Sequence, residues 1–393
     1  MASADYTRNA RVDFLRGVAI SCVLILHFAL AYGLKDSPLG TLLPLALLKA
    51  IAYNGNFGVT MFFVISGFLI TSNSLARWGD LKDIDARTFY LFRFARIMPS
   101  LLLALAVIVT LGCLDLPFFD NSDGDLQRPA SYFLIAAGSV LTFWHNVLMQ
   151  STGYFNYCLN IYWSLSVEEV FYLALPLACM LLRRTWLIVA ACVAAIVIGP
   201  IYRNHHTDNE IFFMYGYLAC FDAIAFGCLT ALLARRVKLA ANYGRALRLI
   251  AGIALAAVYL RGISGHEIFG FSLIAVSSAA FLLGAANDRT TGWSTGRVSS
   301  TVRWLGRHSY EIYLFHIIVL GLLRNVLSKE QLGYGARLPW LLLFLGLSAL
   351  AAALVSRYVS EPANAVIRRR YLARRRAHEA FNTPLASSVP DVK

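Results

Sequence analysis

A long apolar run near the amino terminus limits what this chain can fold into. Residues 14–34 are almost all apolar, and a run of this length crosses a lipid bilayer as a single α-helix. The composition extends that conclusion to the whole chain. Of its residues, 58% are hydrophobic and 15% are charged, whereas a soluble domain has about 25% charged residues. We therefore predict an all-α polytopic membrane protein.

The placement of positive charge predicts which apolar runs cross the membrane. The runs that are long enough cover residues 14–34, 57–76, 89–114, 131–149, 161–182, 186–201, 212–234, 246–261, 267–286, 308–327 and 338–358. If residues 131–149 do not cross and both termini are cytoplasmic, most of the 35 lysines and arginines face the cytoplasm, as the positive-inside bias requires. A crossing at 131–149 would instead turn the basic tail outward.

We therefore predict about ten transmembrane helices with both termini cytoplasmic. Residues 131–149 are expected to form a re-entrant or surface helix, which is tolerable at membrane depth only if it packs on protein or lines a cavity. The shorter run 41–53 contains Pro44 and Lys49 and is expected to lie at the surface.

Other sequence features exclude several classes of protein. The seven cysteines show no CxxC spacing and lie mostly in apolar runs, so we expect neither a disulfide framework nor a metal site. Cytoplasmic loops account for the net charge of +13, and we expect no nucleic-acid partner. No inverted repeat is evident, which counts against a secondary transporter. No cleavable signal peptide is evident either.

The chain is predicted to have two parts. Residues 1–362 form the transmembrane domain, and residues 363–393 form a basic cytoplasmic tail with arginine triplets at 368–370 and 374–376. Arginines beside a membrane attract anionic headgroups, so we expect the tail to contact lipid. The last dozen residues are expected to be disordered.

The first predicted helix carries three ionisable residues on one stripe. Each residue of an α-helix advances about 100°, so Arg16 and His27 fall within roughly 20° of one face and lie about 16 Å apart along the axis. Asp13 lies about 40° from His27 on the same stripe. Ionisable groups are costly inside hydrocarbon, which favours a functional site. The alternative is that His27 only hydrogen-bonds another helix.

The next two predicted helices contain small residues and arginines, respectively. Gly58, Ser66 and Gly67 are small, so we interpret them as packing positions where helices approach closely. Arg93 and Arg96 are three residues apart and therefore point from one side of a helix. Two guanidiniums presented together suit a phosphate-rich ligand, although anchoring at the cytoplasmic surface requires the same charges.

A predicted helix in the middle of the chain begins with two carboxylates. Trp163, Ser164, Glu168 and Glu169 open this helix, which continues as an apolar run. Carboxylates stabilise a helix N-terminus, which would be a structural explanation. Inside a membrane they also need a partner or a cavity. Ser164 and Glu168 share one face, and the predicted topology puts Glu168 at the depth of His27.

A second group of candidates lies near the carboxyl terminus. Arg307 and Ser309 are expected at the cytoplasmic start of a helix along which Tyr313 and His316 point inward. We interpret His316 as a hydrogen-bonded core histidine.

Two further segments contribute candidate residues. Trp144 and His145, in the segment predicted not to cross, are expected to line an outer cavity. Asp222 lies inside an apolar helix, and a buried aspartate needs a partner, for which an arginine or histidine of another helix is the obvious candidate.

Taken together, these motifs resemble the membrane-bound acyltransferase 3 family, which includes bacterial O-antigen and exopolysaccharide O-acetylases. The matching stretches fall in order along nearly the whole chain and are Arg16 with His27, FFVISGFL at 62–69, Arg93 with Arg96, WSLSVEEVFY at 163–172 and LGRHSYEIYLFH at 305–316. Glu169 stands where relatives often have another polar residue. Some relatives continue into a periplasmic hydrolase-like domain, and we expect that second activity to be absent here.

The resemblance implies a multi-pass enzyme of the bacterial inner membrane. Such an enzyme moves an acyl group, acetyl above all, from cytoplasmic acyl-CoA to a hydroxyl of a carbohydrate or lipid-linked glycan at the outer face. Acyl-CoA is then the donor substrate, and no metal is expected. The family's functional positions carry over as Arg16, His27, Arg93, Arg96, Ser164 and Glu168.

The resemblance also implies roles for the candidate residues. Donor binding falls to Arg16, Arg93, Arg96, Arg307 and Ser309, and an acceptor cavity to Trp163, His145, Tyr313, His316 and Asp222. His27 would act as general base. The sequence leaves open whether Glu168, or Asp13 through Arg16, orients its imidazole. A covalent acyl-enzyme formed on Ser164 or His27 also stays open.

Two alternative functions stay open at this point. One is acyl transfer to a small molecule, such as a macrolide or a lipid-linked sugar. The other is a proton-coupled transporter, in which Asp13, Arg16, His27 and Glu168 would form a relay.

Overall fold

The computed structural model describes residues 9–123, 126–286 and 296–382. Within these ranges the α-helices are α1 (Ala10–Tyr32), α2 (Pro38–Leu42), α3 (Leu45–Tyr53), α4 (Asn56–Trp78), α5 (Ala86–Cys113), α6 (Phe133–Leu141), α7 (His145–Thr152), α8 (Trp163–Leu182), α9 (Thr185–Asn204), α10 (Glu210–Tyr215), α11 (Tyr217–Arg236), α12 (Ala241–Arg261), α13 (Gly270–Ala286), α14 (Arg297–Arg307), α15 (Ser309–Val326), α16 (Arg337–Val355) and α17 (Glu361–Asn382). Short 3₁₀ turns cover Leu81–Asp83, Ala130–Tyr132, Asn160–Tyr162 and Tyr334–Ala336, and a π-helical turn, Ser356–Ser360, joins α16 to α17. A two-stranded hairpin pairs Ser122–Asp123 with Leu126–Gln127.

Polar caps and a glycine fix the ends of the helices that carry the site. The side chain of Asn9 accepts a hydrogen bond from Arg11 N at 2.9 Å and starts α1. The side chain of Asp85 accepts one from Thr88 N at 3.3 Å and starts α5. Both residue types are preferred N-caps. At its other end α1 stops at Gly33, whose φ of 72° favours glycine.

The predicted transmembrane helices are present. Each of the ten runs predicted to cross contains a helix, and eight helical segments of the described chain are long and apolar enough to span a membrane by themselves. The other two are α13, which has 17 residues, and α15, which has 18 and carries Glu311 and Arg324. The all-α polytopic fold is therefore confirmed.

The run 131–149 does not form one helix. It divides into α6 and α7, of nine and eight residues, which at about 1.5 Å per residue are each too short to cross. The break falls at Phe143, whose φ of 63° interrupts a right-handed helix. The expected surface segment 41–53 is similarly divided, between α2 and α3, with Leu45 and Leu47 exposed.

Helices α1, α4 and α11 form the centre of the bundle, and glycines bring them close to their neighbours. A Cβ placed on Gly67 of α4 would lie 2.1 Å from the carbonyl oxygen of Ile224, and one on Gly227 of α11 would lie 2.1 Å from that of Val64. Such contacts exist only because glycine has no side chain. The interpretation of Gly58 and Gly67 as packing positions is confirmed, since a Cβ on Gly58 would lie 2.5 Å from the carbonyl oxygen of Ala19.

Glycines also bring α1 and α14 into close contact. A Cβ on Gly17 would lie 1.9 Å from the carbonyl oxygen of Val302, and one on Gly306 would lie 1.8 Å from that of Asp13. The backbones of the two helices are therefore in direct contact beside Asp13.

The basic tail begins as a helix that packs on α5. Arg375 forms an ion pair with Asp85, and the hydroxyl of Tyr371 lies 2.9 Å from that of Thr88. The guanidinium of Arg368 stacks on the Phe92 ring at 4.1 Å. Nearly all of the last dozen residues, predicted to be disordered, lie outside the described residues.

Candidate functional site

A cavity of about 470 Å³ opens between α1, α4, α5, α8 and α15. Three cations and three carboxylates line it, namely Arg16, Arg93, Arg96, Asp13, Glu168 and Glu169. Ser164, Ser309 and Tyr313 also belong to its wall. The cavity therefore brings together residues from both halves of the sequence, and eight of the predicted site residues contribute to it.

The three arginines lie towards the amino-terminal end of α1, which we call the arginine end of the bundle. Arg16 donates hydrogen bonds from Nε and Nη2 to the Ser309 hydroxyl, at 3.2 and 2.8 Å, and so joins α1 to α15. Arg93 and Arg96 both line the cavity, as their spacing predicts. Arg96 is exposed, while the guanidinium of Arg93 stacks on the Tyr172 ring at 3.6 Å.

Glu168 is held by two hydroxyl groups. Ser66 donates a hydrogen bond to its Oε1, and Tyr172 donates another to the same oxygen. The Ser66 and Tyr172 hydroxyls also contact each other. The interpretation of Ser66 as a packing residue is therefore incomplete, because its side chain is also a polar partner of Glu168 in the cavity wall. The four-residue spacing between Glu168 and Tyr172 could have identified the second partner from the sequence.

Ser164 faces α15 instead of a carboxylate. Its hydroxyl lies 2.6 Å from that of Tyr313. Both hydroxyls donate to the carbonyl oxygen of Ile161, at 3.3 and 2.8 Å. The neighbouring Trp163 is buried and stacks on Tyr215 with 4.3 Å between ring centroids, so its ring lies behind the cavity wall and does not line it.

His27 lies farther along α1, beyond the cavity, and is paired with a second histidine. Its Nδ1 lies 3.1 Å from Nε2 of His316, and the ring centroids are 4.9 Å apart. His316 is fully buried, while His27 is partly exposed. The ring of Tyr313 lies 5.8 Å from that of His316 and links the pair to the cavity wall. Glu168, expected near His27, instead contacts Ser66 and Tyr172 close to Arg93.

The hydrogen bonds assign the protons of the two neutral imidazoles. Nδ1 of His316 lies 3.0 Å from the carbonyl oxygen of Ile312 and 2.8 Å from that of Tyr313. Carbonyl oxygens only accept, so this Nδ1 carries the proton and Nε2 of His316 has a lone pair. Nδ1 of His27, which also faces the carbonyl oxygen of Val23 at 3.0 Å, then donates to that lone pair. Nε2 of His27 is left unprotonated and can accept a proton.

Two further predicted site residues, one from the acceptor cavity and one from the donor site, lie outside the cavity. Asp222 forms a buried ion pair with Arg203 at 2.6 Å and accepts a hydrogen bond from Ser272 at 2.7 Å. The expectation of a cationic partner from another helix is confirmed, but this pair lies between α9, α11 and α13, away from the cavity. The exposed Arg307, expected to bind donor, also stays outside the cavity wall.

His145 is a buried structural residue. Its Nδ1 lies 2.8 Å from the Ser139 hydroxyl, and its backbone N–H donates to Ser166 at 3.1 Å. Burial lowers the pKa of its imidazole to about 3, so the ring is neutral at physiological pH. His145 does not line the cavity, and the prediction that placed it there is corrected because its ring faces α6.

Comparison with known proteins identifies the family of this chain. A family model described as an acyltransferase domain matches residues 9–357. The chain is 27% identical to the peptidoglycan O-acetyltransferase OatA of Listeria monocytogenes over 318 residues, which cover 73% of this chain and 50% of the relative. It is 25% identical to the O-acetyltransferase OatA of Staphylococcus aureus over 328 residues, covering 78% and 52%.

A third relative is similar to the same extent. The chain is 25% identical to the putative peptidoglycan O-acetyltransferase YrhL of Bacillus subtilis over 308 residues, covering 70% of this chain and 47% of the relative. The chain thus spans about half the length of these relatives. No solved structure matches it.

Proposed function

The chain belongs to the acyltransferase 3 family, and from this membership we propose that it is a membrane O-acetyltransferase acting on a glycan. Acyl-CoA is the proposed donor, and a hydroxyl of the glycan is the proposed acceptor. The observation that carries the proposal is the pairing of a cation-lined cavity at one end of α1 with an unprotonated imidazole nitrogen farther along the same helix. The two features suit substrates that arrive from opposite sides of a membrane.

The arginine end is proposed to bind the phosphates of the donor. Arg96 is the most accessible of the three guanidiniums and can meet a phosphate with two parallel N–H donors. The positive charge of Arg93 is partly balanced by the carboxylates of Glu168 and Glu169. We therefore expect Arg96 to contribute more of the phosphate attraction than Arg93.

His27 is proposed to act as general base on the acceptor. Its Nε2 takes the proton of the glycan hydroxyl while that oxygen attacks the thioester carbonyl carbon, and a C–O bond forms. The C–S bond then breaks, and the imidazolium returns the proton to the departing thiolate, giving the O-acyl glycan and free coenzyme A. The lone pair on Nε2 of His316 stabilises the transient charge through the Nδ1 hydrogen bond. This is the role that a carboxylate has in a serine protease triad.

We propose that the two substrates reach the enzyme from opposite sides of the membrane. Cations accumulate on the cytoplasmic face of membrane proteins, so we propose that both termini, the basic helix α17 and the arginine end face the cytoplasm of a bacterium. The acceptor would then approach His27 from the outer leaflet of the inner membrane. One of the relatives named above is described as a peptidoglycan O-acetyltransferase and another as a putative one, which supports a glycan acceptor.

Acetyl transfer by purified protein tests this function. The full chain is reconstituted in liposomes with acetyl-CoA and a soluble peptidoglycan fragment, and both free coenzyme A and the acetylated glycan are measured. Because a positioned general base contributes about 10²- to 10⁴-fold, His27→Ala is expected to lower product formation by at least about 100-fold. His206→Ala is the matched control, since His206 stacks between Tyr202 and Phe212 in the loop after α9.

Two outcomes would contradict parts of the proposal. If wild-type protein consumes no acetyl-CoA with the glycan present, the enzyme assignment fails. If His27→Ala keeps wild-type activity, the enzyme assignment stands but the base is another group.

A separate measurement distinguishes direct transfer from a covalent intermediate. Exchange of labelled coenzyme A into acetyl-CoA without acceptor would show a covalent acyl-enzyme.

A further inference from the structure

One carboxylate in the cavity wall has an oxygen without a partner. Glu169 lines the cavity and is 6% exposed. Among the residues that the structure describes, no donor reaches its buried Oε1. Leaving a buried acceptor unpaired costs about 1–3 kcal/mol, and more for a charged group. An oxygen of this kind in the wall of an open cavity indicates a ligand that donates a hydrogen bond.

The same cavity contains an unpaired donor. Nε of Arg93 is buried, and no acceptor within the described part of the chain contacts it. Both side chains line the same cavity, and the Arg93 guanidinium interacts electrostatically with the Glu169 carboxylate. A single ligand group that satisfies both must donate one hydrogen bond and accept another, and a secondary amide does so through its N–H and its C=O.

Glu168 does not share this property. Its Oε1 already accepts hydrogen bonds from Ser66 and Tyr172. The two adjacent carboxylates therefore differ in their contacts: Oε1 of Glu168 is bound by two hydroxyls, while Oε1 of Glu169 has no partner among the described residues.

We propose that Glu169 and Nε of Arg93 form a subsite for an amide of the acyl donor. This inference rests on the proposed function, in which the donor is acyl-CoA, whose arm contains two secondary amides. The Glu169 carboxylate accepts the amide N–H, and Arg93 Nε–H donates to the amide oxygen. The subsite lies beside the cations proposed for the phosphates and positions the arm on its way from the arginine end towards His27.

Binding of donor fragments to the detergent-solubilised full chain tests the subsite. The probes are coenzyme A, adenosine 3′,5′-bisphosphate, which has phosphates but no arm, and pantetheine, which has the arm but no phosphates. Because hydrogen bonds to charged groups are worth about 1.5–3 kcal/mol, Glu169→Ala is expected to weaken coenzyme A binding by at least about 10-fold. The same variant is expected to abolish detectable pantetheine binding and to leave the affinity for the bisphosphate within about twofold of wild type.

Two conservative variants keep the test valid if Glu169→Ala folds poorly. Glu169→Gln preserves the side-chain volume and an accepting oxygen without charge, so an intermediate loss of coenzyme A affinity is expected. Arg93→Lys keeps the positive charge but removes the Nε–H donor, and it should weaken pantetheine more than the bisphosphate. Glu330→Gln, on an exposed loop, is the matched control and should bind every probe as wild type does.

The outcomes separate this inference from the proposed function. Unchanged coenzyme A affinity in Glu169→Ala, or an equal loss for coenzyme A and the bisphosphate, would overturn the amide subsite and leave the donor assignment intact. If wild-type protein binds neither coenzyme A nor the bisphosphate, the acyl-CoA donor itself is wrong and the subsite is overturned with it.

Discussion

Nε2 of His316 lies 3.1 Å from Nδ1 of His27, and the backbone carbonyls around His316 leave that Nε2 as an acceptor. A carboxylate would be the usual orienting partner of a catalytic histidine. In this protein a neutral imidazole occupies that position beside His27 and adds no negative charge to the buried site. It orients the His27 ring and keeps the proton on Nδ1.

The first prediction concerns this pair. His316→Phe keeps an aromatic ring but removes the acceptor, and loss of the partner that orients a histidine costs about 10- to 100-fold at metal sites, which we take as the scale here. We expect kcat to fall by that factor while the KM for acetyl-CoA stays within about twofold. His316→Gln, whose amide oxygen can reach the position of Nε2, should recover much of the activity. Wild-type kcat in His316→Phe would show that His27 needs no partner.

The second prediction separates two arginines of the arginine end. Arg96 lines the cavity, whereas Arg307 is exposed outside it. Since a charge-assisted hydrogen bond is worth about 1.5–3 kcal/mol, Arg96→Ala should weaken coenzyme A binding by at least about 10-fold, and the difference from wild type should shrink at high salt. Arg307→Ala should bind coenzyme A like wild type. Equal losses in the two variants would mean that general surface charge attracts the donor.

The third prediction tests the contact between α1 and α14. A Cβ at position 306 would lie 1.8 Å from the carbonyl oxygen of Asp13, so Gly306→Ala must push the two helices apart. Overpacking of this kind costs about 1–3 kcal/mol, and we expect a lower thermal unfolding temperature in detergent together with weaker donor binding. Gly346→Ala is the control, because nothing lies within 4 Å of a Cβ there. Equal stability of Gly306→Ala and wild type would contradict the close packing.

The fourth prediction concerns pH and the docking of α17. Burial alone would raise the pKa of Asp85, but hydrogen bonds from Thr88 and the Arg375 guanidinium outweigh it and hold this pKa below its usual range. A carboxyl group with a lowered pKa in the folded state stabilises that state at neutral pH, and the stabilisation disappears as the pH falls through the lowered value.

Asp85→Asn should therefore unfold at a lower temperature than wild type at pH 7, and the difference should become smaller at a pH below the ordinary aspartate pKa of about 3.9. Asp83→Asn, in the neighbouring exposed turn, should match wild type at both values. A difference between Asp85→Asn and wild type that persists undiminished at the lower pH would show that the charge of Asp85 does not hold α17.

The local sequence determined where the helices lie and which residues share a helix face. Whether a segment can cross a bilayer depends on the length of its own apolar run, so the spanning helices are predictable without tertiary contacts. Arg93 and Arg96 line one cavity because residues three apart share a helix face, which is also a local property. The requirement of Asp222 for a cationic partner was predictable from its position inside an apolar helix.

Only the tertiary structure decided which side chains meet. His27 and His316 are 289 positions apart, and Ser66 and Glu168 are 102 positions apart. Helical periodicity gives the face on which a residue lies but not the helix that faces it, because that depends on how each helix is rotated and how closely glycines let it approach. For the same reason the sequence could not show that His145 and Asp222 lie outside the cavity. Nor could it show that Glu169, beside a carboxylate already bound by two hydroxyls, has a buried oxygen with no hydrogen-bond partner among the described residues.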